Sequence, residues 1–123
     1  TNSYYFIRMA SGDDEADRAI AARLRIGYPS LDGQGAHVNI SGGGVAKNAP
    51  NRANAIKLLE FFASAETQQH IAKHNNEFPA TPGVAAPPPV DAYADFTANP
   101  MPVAVFARRQ GEAQALMSAA GWR

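Results

Sequence analysis

The chain has 123 residues, enough for one modest core, so a single domain is the default. Eleven basic and eleven acidic side chains cancel to zero formal net charge, which argues against a general nucleic-acid binder. With no cysteine, disulfides and thiolate metal sites are excluded, and no apolar run is long enough to cross a membrane. No basic-then-apolar leader is visible, which suits a cytosolic chain or a mature exported one. The first residues already look functional and lack a methionine, so a piece of a longer protein is expected.

Asn2-Ser3-Tyr4-Tyr5 comes first. Two phenol oxygens within one short stretch suit a hard cation, and phenolate is a good ligand for ferric iron. A free phenol has a pKa of about 10, so it ionises at neutral pH only beside a strong positive charge. On a regular strand the two rings would point to opposite faces. They converge on one ion only at an irregular position, such as a loop entering a helix, and Asn2 and Ser3 both suit an N-cap. A helix start also offers free N–H groups to an anion. An amphipathic core edge, ring buried and hydroxyl wet, explains the dipeptide equally simply.

Residues 3–10 are predicted to form a short helix. Ser11 is expected to cap a second one, with Asp13, Asp14 and Glu15 in its first turn and an end near Arg25. The acid cluster lacks the alternating ligands and central glycine of a calcium loop. Ile26–Pro29 reads as a short strand, Leu31–Gly35 as a turn, and Ala36–Ile40 alternates like a strand. Ser41-Gly42-Gly43-Gly44 with Lys47 invites a phosphate cradle. Its spacing fits neither the dinucleotide fingerprint nor the P-loop, and close backbone approach is the simpler use of the glycines.

Asn51 caps the clearest predicted helix, whose apolar stripe is Ala55, Leu58, Leu59 and Phe62, widened by Ile56. Ser64 begins another, ending near His74-Asn75-Asn76. His70 and His74 share a helix face at a spacing that can hold zinc, but without the protease glutamate or an evident third ligand a solvent role is favoured; His37 reads as structural. The Pro- and Ala-rich run from Phe78 to Pro89 is an extended connector. Residues 91–99 are weakly helical. Val103–Phe106 is a short apolar run, and a last helix follows Arg108, Arg109 and Gln110 through Leu116 and Met117. Gly121 ends it and Trp122 folds back.

Taken together, these segments resemble the C-terminal part of the periplasmic ferric-ion-binding proteins. The likeness runs in order through Gly35–Val45, Ala49-Pro50-Asn51, Asn54–Phe61, Ser64, Glu66, Gln68, Asn76–Pro79 and Ala119–Trp122, over nearly the whole chain. It implies an α/β, type II periplasmic-binding fold of two lobes around a cleft, of which this helix-rich chain is one part. Residues 1–36 would belong to the distal lobe. Residues 37–80 would supply a hinge-crossing strand and helices of the first lobe, and residues 81–123 would return to the distal lobe.

By the same resemblance, Tyr4 and Tyr5 ligate Fe3+ and Asn2 contacts a synergistic anion, phosphate or carbonate. Phe6, a third aromatic, has no donor oxygen. The implied partners are an ABC-type iron permease and the N-terminal portion of the same protein. Exposed apolar surface and self-association are expected of the isolated chain. The alternatives are a same-fold carrier for an organophosphonate or oxyanion, a small phosphate-handling enzyme using Ser41–Gly44 and Lys47, and a structural interaction module.

Overall fold

Residues 1–30 and 33–122 are described by a computed structural model of the chain. The expected turn at Leu31–Gly35 therefore falls partly outside the described residues. Helix α1 spans Ser3–Ser11 and begins from Asn2 in extended conformation (φ −77°, ψ 148°). Its inward residue, Ile7, is fully buried. Ser11 does not cap the next helix. Its hydroxyl donates to the Ile7 carbonyl at 2.7 Å, which keeps it in the last turn of α1. Asp14 is the cap instead, accepting from the Ala16 and Asp17 N–H groups at 2.8 and 3.2 Å. A carboxylate there satisfies two free donors and carries the charge that a helix start favours. Helix α2, Glu15–Ala21, stops short of Arg25 because the chain tightens. Arg23 N–H donates to the Ile20 carbonyl (3.0 Å) and Leu24 N–H to that of Ala21 (2.9 Å), closing the end in three-residue turns. α1 and α2 pack on each other.

Helix α3 spans Arg52–Phe62, with Asn51 at the cap position but making no side-chain cap bond. Helix α4, Ala65–Asn75, matches its predicted limits. Ser64 accepts from the Thr67 N–H at 3.3 Å, and Asn76 ends the helix in the left-handed region at φ 58°. The weak helix expected over 91–99 is only a 3-10 turn at Val90–Tyr93. Helix α5, Val103–Ala119, starts directly after Pro102, so the apolar run Val103–Phe106 is its first turn and not a separate element. Pro102 withholds no bond that a helix start needs. Gly121 (φ 71°) closes α5: its N–H donates to the Ser118 carbonyl at 3.1 Å and that of Trp122 to the Met117 carbonyl at 2.9 Å. The backbone folds back as expected, but the Trp122 ring is 71% exposed.

Neither predicted strand forms among the described residues. Ala36 makes one isolated antiparallel bridge to Ser30 and one parallel bridge to Ala98. Ala36 N–H donates to the Thr97 carbonyl, and Asn99 N–H to the Ala36 carbonyl, both at 2.8 Å. Residues 37–40 alternate correctly but find no ladder beside them, and a strand persists only where a neighbour takes up its backbone groups.

Aromatic contacts tie distant segments together. Tyr28 stacks on Phe96 (4.4 Å between centroids), and its hydroxyl donates to the Tyr93 carbonyl at 2.9 Å. Phe78 meets Phe96 edge-on at 5.3 Å, and Phe6 meets Tyr93 edge-on at 5.7 Å. Phe6 thus links α1 to the 90–93 turn through Tyr93. Burial, and secondarily the neighbouring Tyr93, pushes the Tyr28 phenol pKa up.

The buried core is small: Ile7, Ala21, Ala36, Ala72 and Val90, with Thr67. Accessible surface totals 9746 Å², against about 6,400 Å² expected for a compact monomer of this mass. Among the described residues α3 and α5 bury no side chain, and Leu58, Phe61, Phe62, Leu116 and Met117 lie exposed. Such uncovered apolar surface matches the expectation for this chain by itself.

Candidate functional site

Asn2, Tyr4 and Tyr5 come together at the first turn of α1. Adjacent helix positions lie about 100° apart around the axis, so neighbouring side chains diverge much less than on a strand. The two rings stand 4.4 Å apart between centroids, inclined by 42°. Instead of capping the helix, the Asn2 amide donates to the Tyr4 hydroxyl at 3.1 Å. Tyr4 is half-buried and Tyr5 exposed, so both phenols are open on one side. First-turn N–H groups of α1 lie beside them, where a helix start favours negative charge.

The phenols differ electrostatically. The Tyr4 pKa is lowered, first by a hydrogen bond from Tyr5 and then by the Asn2 amide, while the Arg8 charge assists. Slight burial and the Glu77 carboxylate oppose this. The Tyr5 pKa is raised, mainly because its proton is engaged by Tyr4 and because ionised Tyr4 would repel a second charge; Arg8 again acts downward. Tyr4 is therefore the first of the pair to become phenolate. Sequence patterns single out neither Arg8 nor Glu77. Arg8 is accessible to such reasoning, lying four residues after Tyr4 on one helix. Glu77 is not, since only folding brings the turn after α4 near the start of α1. Arg8 also borders an open groove of about 460 Å³ shared with Ser11, Lys73, Asn76 and Pro89.

The other candidates stay apart from this cluster. Asp14 caps α2 and Glu15 lies in its first turn, while Asp13 precedes the cap. Residues 41–46 are irregular, and Gly43 runs so close to α3 that a Cβ there would lie 2.9 Å from a Leu59 methyl carbon. Close backbone approach is thus one use of these glycines. His37 packs against Phe106 at 5.2 Å. His70 and His74 are neighbours on the exposed face of α4, with ring centroids 4.4 Å apart. No group of three or more His, Cys, Asp or Glu residues suited to a metal ion occurs among the described residues.

Comparison with known proteins gives this geometry a context. Iron uptake protein A2 of Synechocystis is 40% identical over 99% of the chain, which covers 36% of that protein. A Trichodesmium IdiA/FutA structure in complex with iron and citrate superposes with TM-score 0.90 at 38% identity, over all of this chain and 39% of that one. Mannheimia haemolytica ferric iron-binding protein A, in an open conformation, gives TM-score 0.86 at 32% identity, over 98% of this chain and 37% of that one. The chain thus spans little more than a third of the length of these relatives, and its fold is that of one portion of the type II solute-binding architecture. A family model matches residues 3–98; the chain belongs to the bacterial extracellular solute-binding proteins.

Proposed function

We propose that this chain is the C-terminal part of a ferric-ion carrier. The protein captures iron outside the cytoplasmic membrane, in the periplasm, and presents it to an ABC-type uptake permease. The observation that carries this reading is the joined cluster of Asn2, Tyr4 and Tyr5, with Tyr4 poised to ionise first. Two phenolates offset two of the three charges of a ferric ion, and hard oxygen donors match a hard cation. Asn2 and the start of α1 would hold a synergistic anion, phosphate or carbonate, beside the metal. Such a carrier binds and releases its cargo without covalent chemistry, as a solute-binding protein does.

Residues 1–36 would lie in the distal lobe, residues 37–80 would cross the hinge into the first lobe, and residues 81–123 would return. The N-terminal portion would supply the remaining ligands and the opposite wall of the cleft. The kinship with iron-binding proteins supports iron over an organophosphonate or oxyanion.

The test is a visible-absorbance titration with chelated ferric iron, alone and with phosphate, carbonate or citrate. Citrate is included because the Trichodesmium structure holds it with iron. A saturable phenolate-to-iron band is expected, lost in the Tyr4→Phe, Tyr5→Phe double variant. An unchanged band in that variant of the full-length protein would sink the assignment, and a colourless full-length protein that binds an organic anion would favour the other carrier.

A further inference from the structure

The pair His70 and His74 stands outside the tyrosine cluster and is not absorbed by the proposed function. We propose that these two imidazoles form a separate chelate for a borderline divalent cation, with Cu2+ preferred over Zn2+. The pair sits one helical turn apart on α4, a helix defined at both ends by the Ser64 cap and the left-handed Asn76. Both rings are exposed, away from the buried residues Thr67 and Ala72, so an ion reaches them directly. Their four-residue spacing already brings them together, with centroids 4.4 Å apart and planes inclined by 43°.

The two rings are close enough to reach one ion together. For a site of nitrogen donors the affinity order of first-row divalent ions puts Cu2+ above Zn2+, and two imidazoles with water suit Cu2+ without further protein ligands. Among the described residues no third histidine or carboxylate joins the pair, so water completes the shell. Imidazole nitrogens select this class of ion, whereas phenolates select ferric iron, so the two sites differ in cargo as well as position.

The experiment is calorimetric titration of the 123-residue chain with copper(II) sulfate in a non-chelating buffer, with electron paramagnetic resonance of the loaded protein. One Cu2+ per chain is expected, with hyperfine coupling to two nitrogens and tighter binding than Zn2+. His70→Gln or His74→Gln should weaken binding by about tenfold or more and remove one nitrogen from the spectrum. Circular dichroism should show the helices intact, because both side chains are solvent-facing. The double variant should keep whatever ferric response the parent chain has, which separates this site from the tyrosine cluster. Copper binding unchanged in the double variant, or abolished by His37→Gln, would overturn the proposal. So would a parent chain that takes up no Cu2+ at micromolar concentration.

Discussion

Tyr4 and Tyr5 are adjacent in sequence and chemically alike, yet their surroundings push their pKa values apart. A hydrogen bond from Tyr5, joined by the one from Asn2, stabilises the Tyr4 phenolate, and a charged Tyr4 in turn disfavours ionisation of Tyr5. As pH rises, phenolate should appear first at Tyr4, below the ordinary phenol value of about 10, and at Tyr5 only above it. Asn2→Ala removes a donor to the charged form, so the first step should move to higher pH and approach the second. Ultraviolet difference titration, with Tyr28→Phe and Tyr93→Phe in the background to clear the other phenols, checks both points. A single unsplit transition in the background protein would refute a hydrogen bond running from Tyr5 to Tyr4.

At the scale of elements, helix starts separate into those held by a side chain and those merely located by one. Asp14 and Ser64 accept from backbone N–H groups, while Asn51 occupies the same kind of position without a cap bond. Asp14→Ala and Ser64→Ala should each cost about 1 kcal/mol, and Asn51→Ala only about a few tenths. Urea denaturation followed by circular dichroism measures the contrast. Gly35 poses a harsher constraint. It sits at φ 103°, and a Cβ there would meet the Thr97 carbonyl oxygen at 2.6 Å. Gly35→Ala should break the bonds joining Ala36 to residues 97–99 and destabilise the chain by roughly 2 kcal/mol or more. A midpoint within error of the parent would show that this junction contributes little.

Across the whole molecule the helices are well formed but poorly covered. The excess of accessible surface and the bare apolar faces of α3 and α5 have one physical consequence: water is in contact with side chains that a folded protein ordinarily buries. The isolated chain should bind a fluorescent hydrophobic dye and associate as its concentration rises. Sedimentation velocity over a concentration series tests this, with Leu58→Glu and Leu116→Glu expected to reduce both signals. A monodisperse monomer that leaves the dye dark would mean that these faces find cover within the chain.

Features that depend on neighbours along the chain could be read from the amino-acid order. The limits of α4 were legible because Ser64 and Asn76 act on backbone groups within a few residues. The same holds for the turn at Gly121 and for the placing of Tyr4 and Tyr5 at a helix start. Local competition was harder to read, as at Ser11 and Asp14, where two good caps stand three residues apart and only one is used. The remaining features depend on contacts between segments far apart in the chain. Alternation in residues 36–40 marks a strand that does not form, because pairing requires a neighbour that alternation cannot supply. The approach of Glu77 to Tyr4, the aromatic contacts of Tyr28 with Phe96, and the exposure of the α3 stripe all join or separate residues remote in sequence. Those relations depend on how the chain closes on itself, which no local pattern encodes.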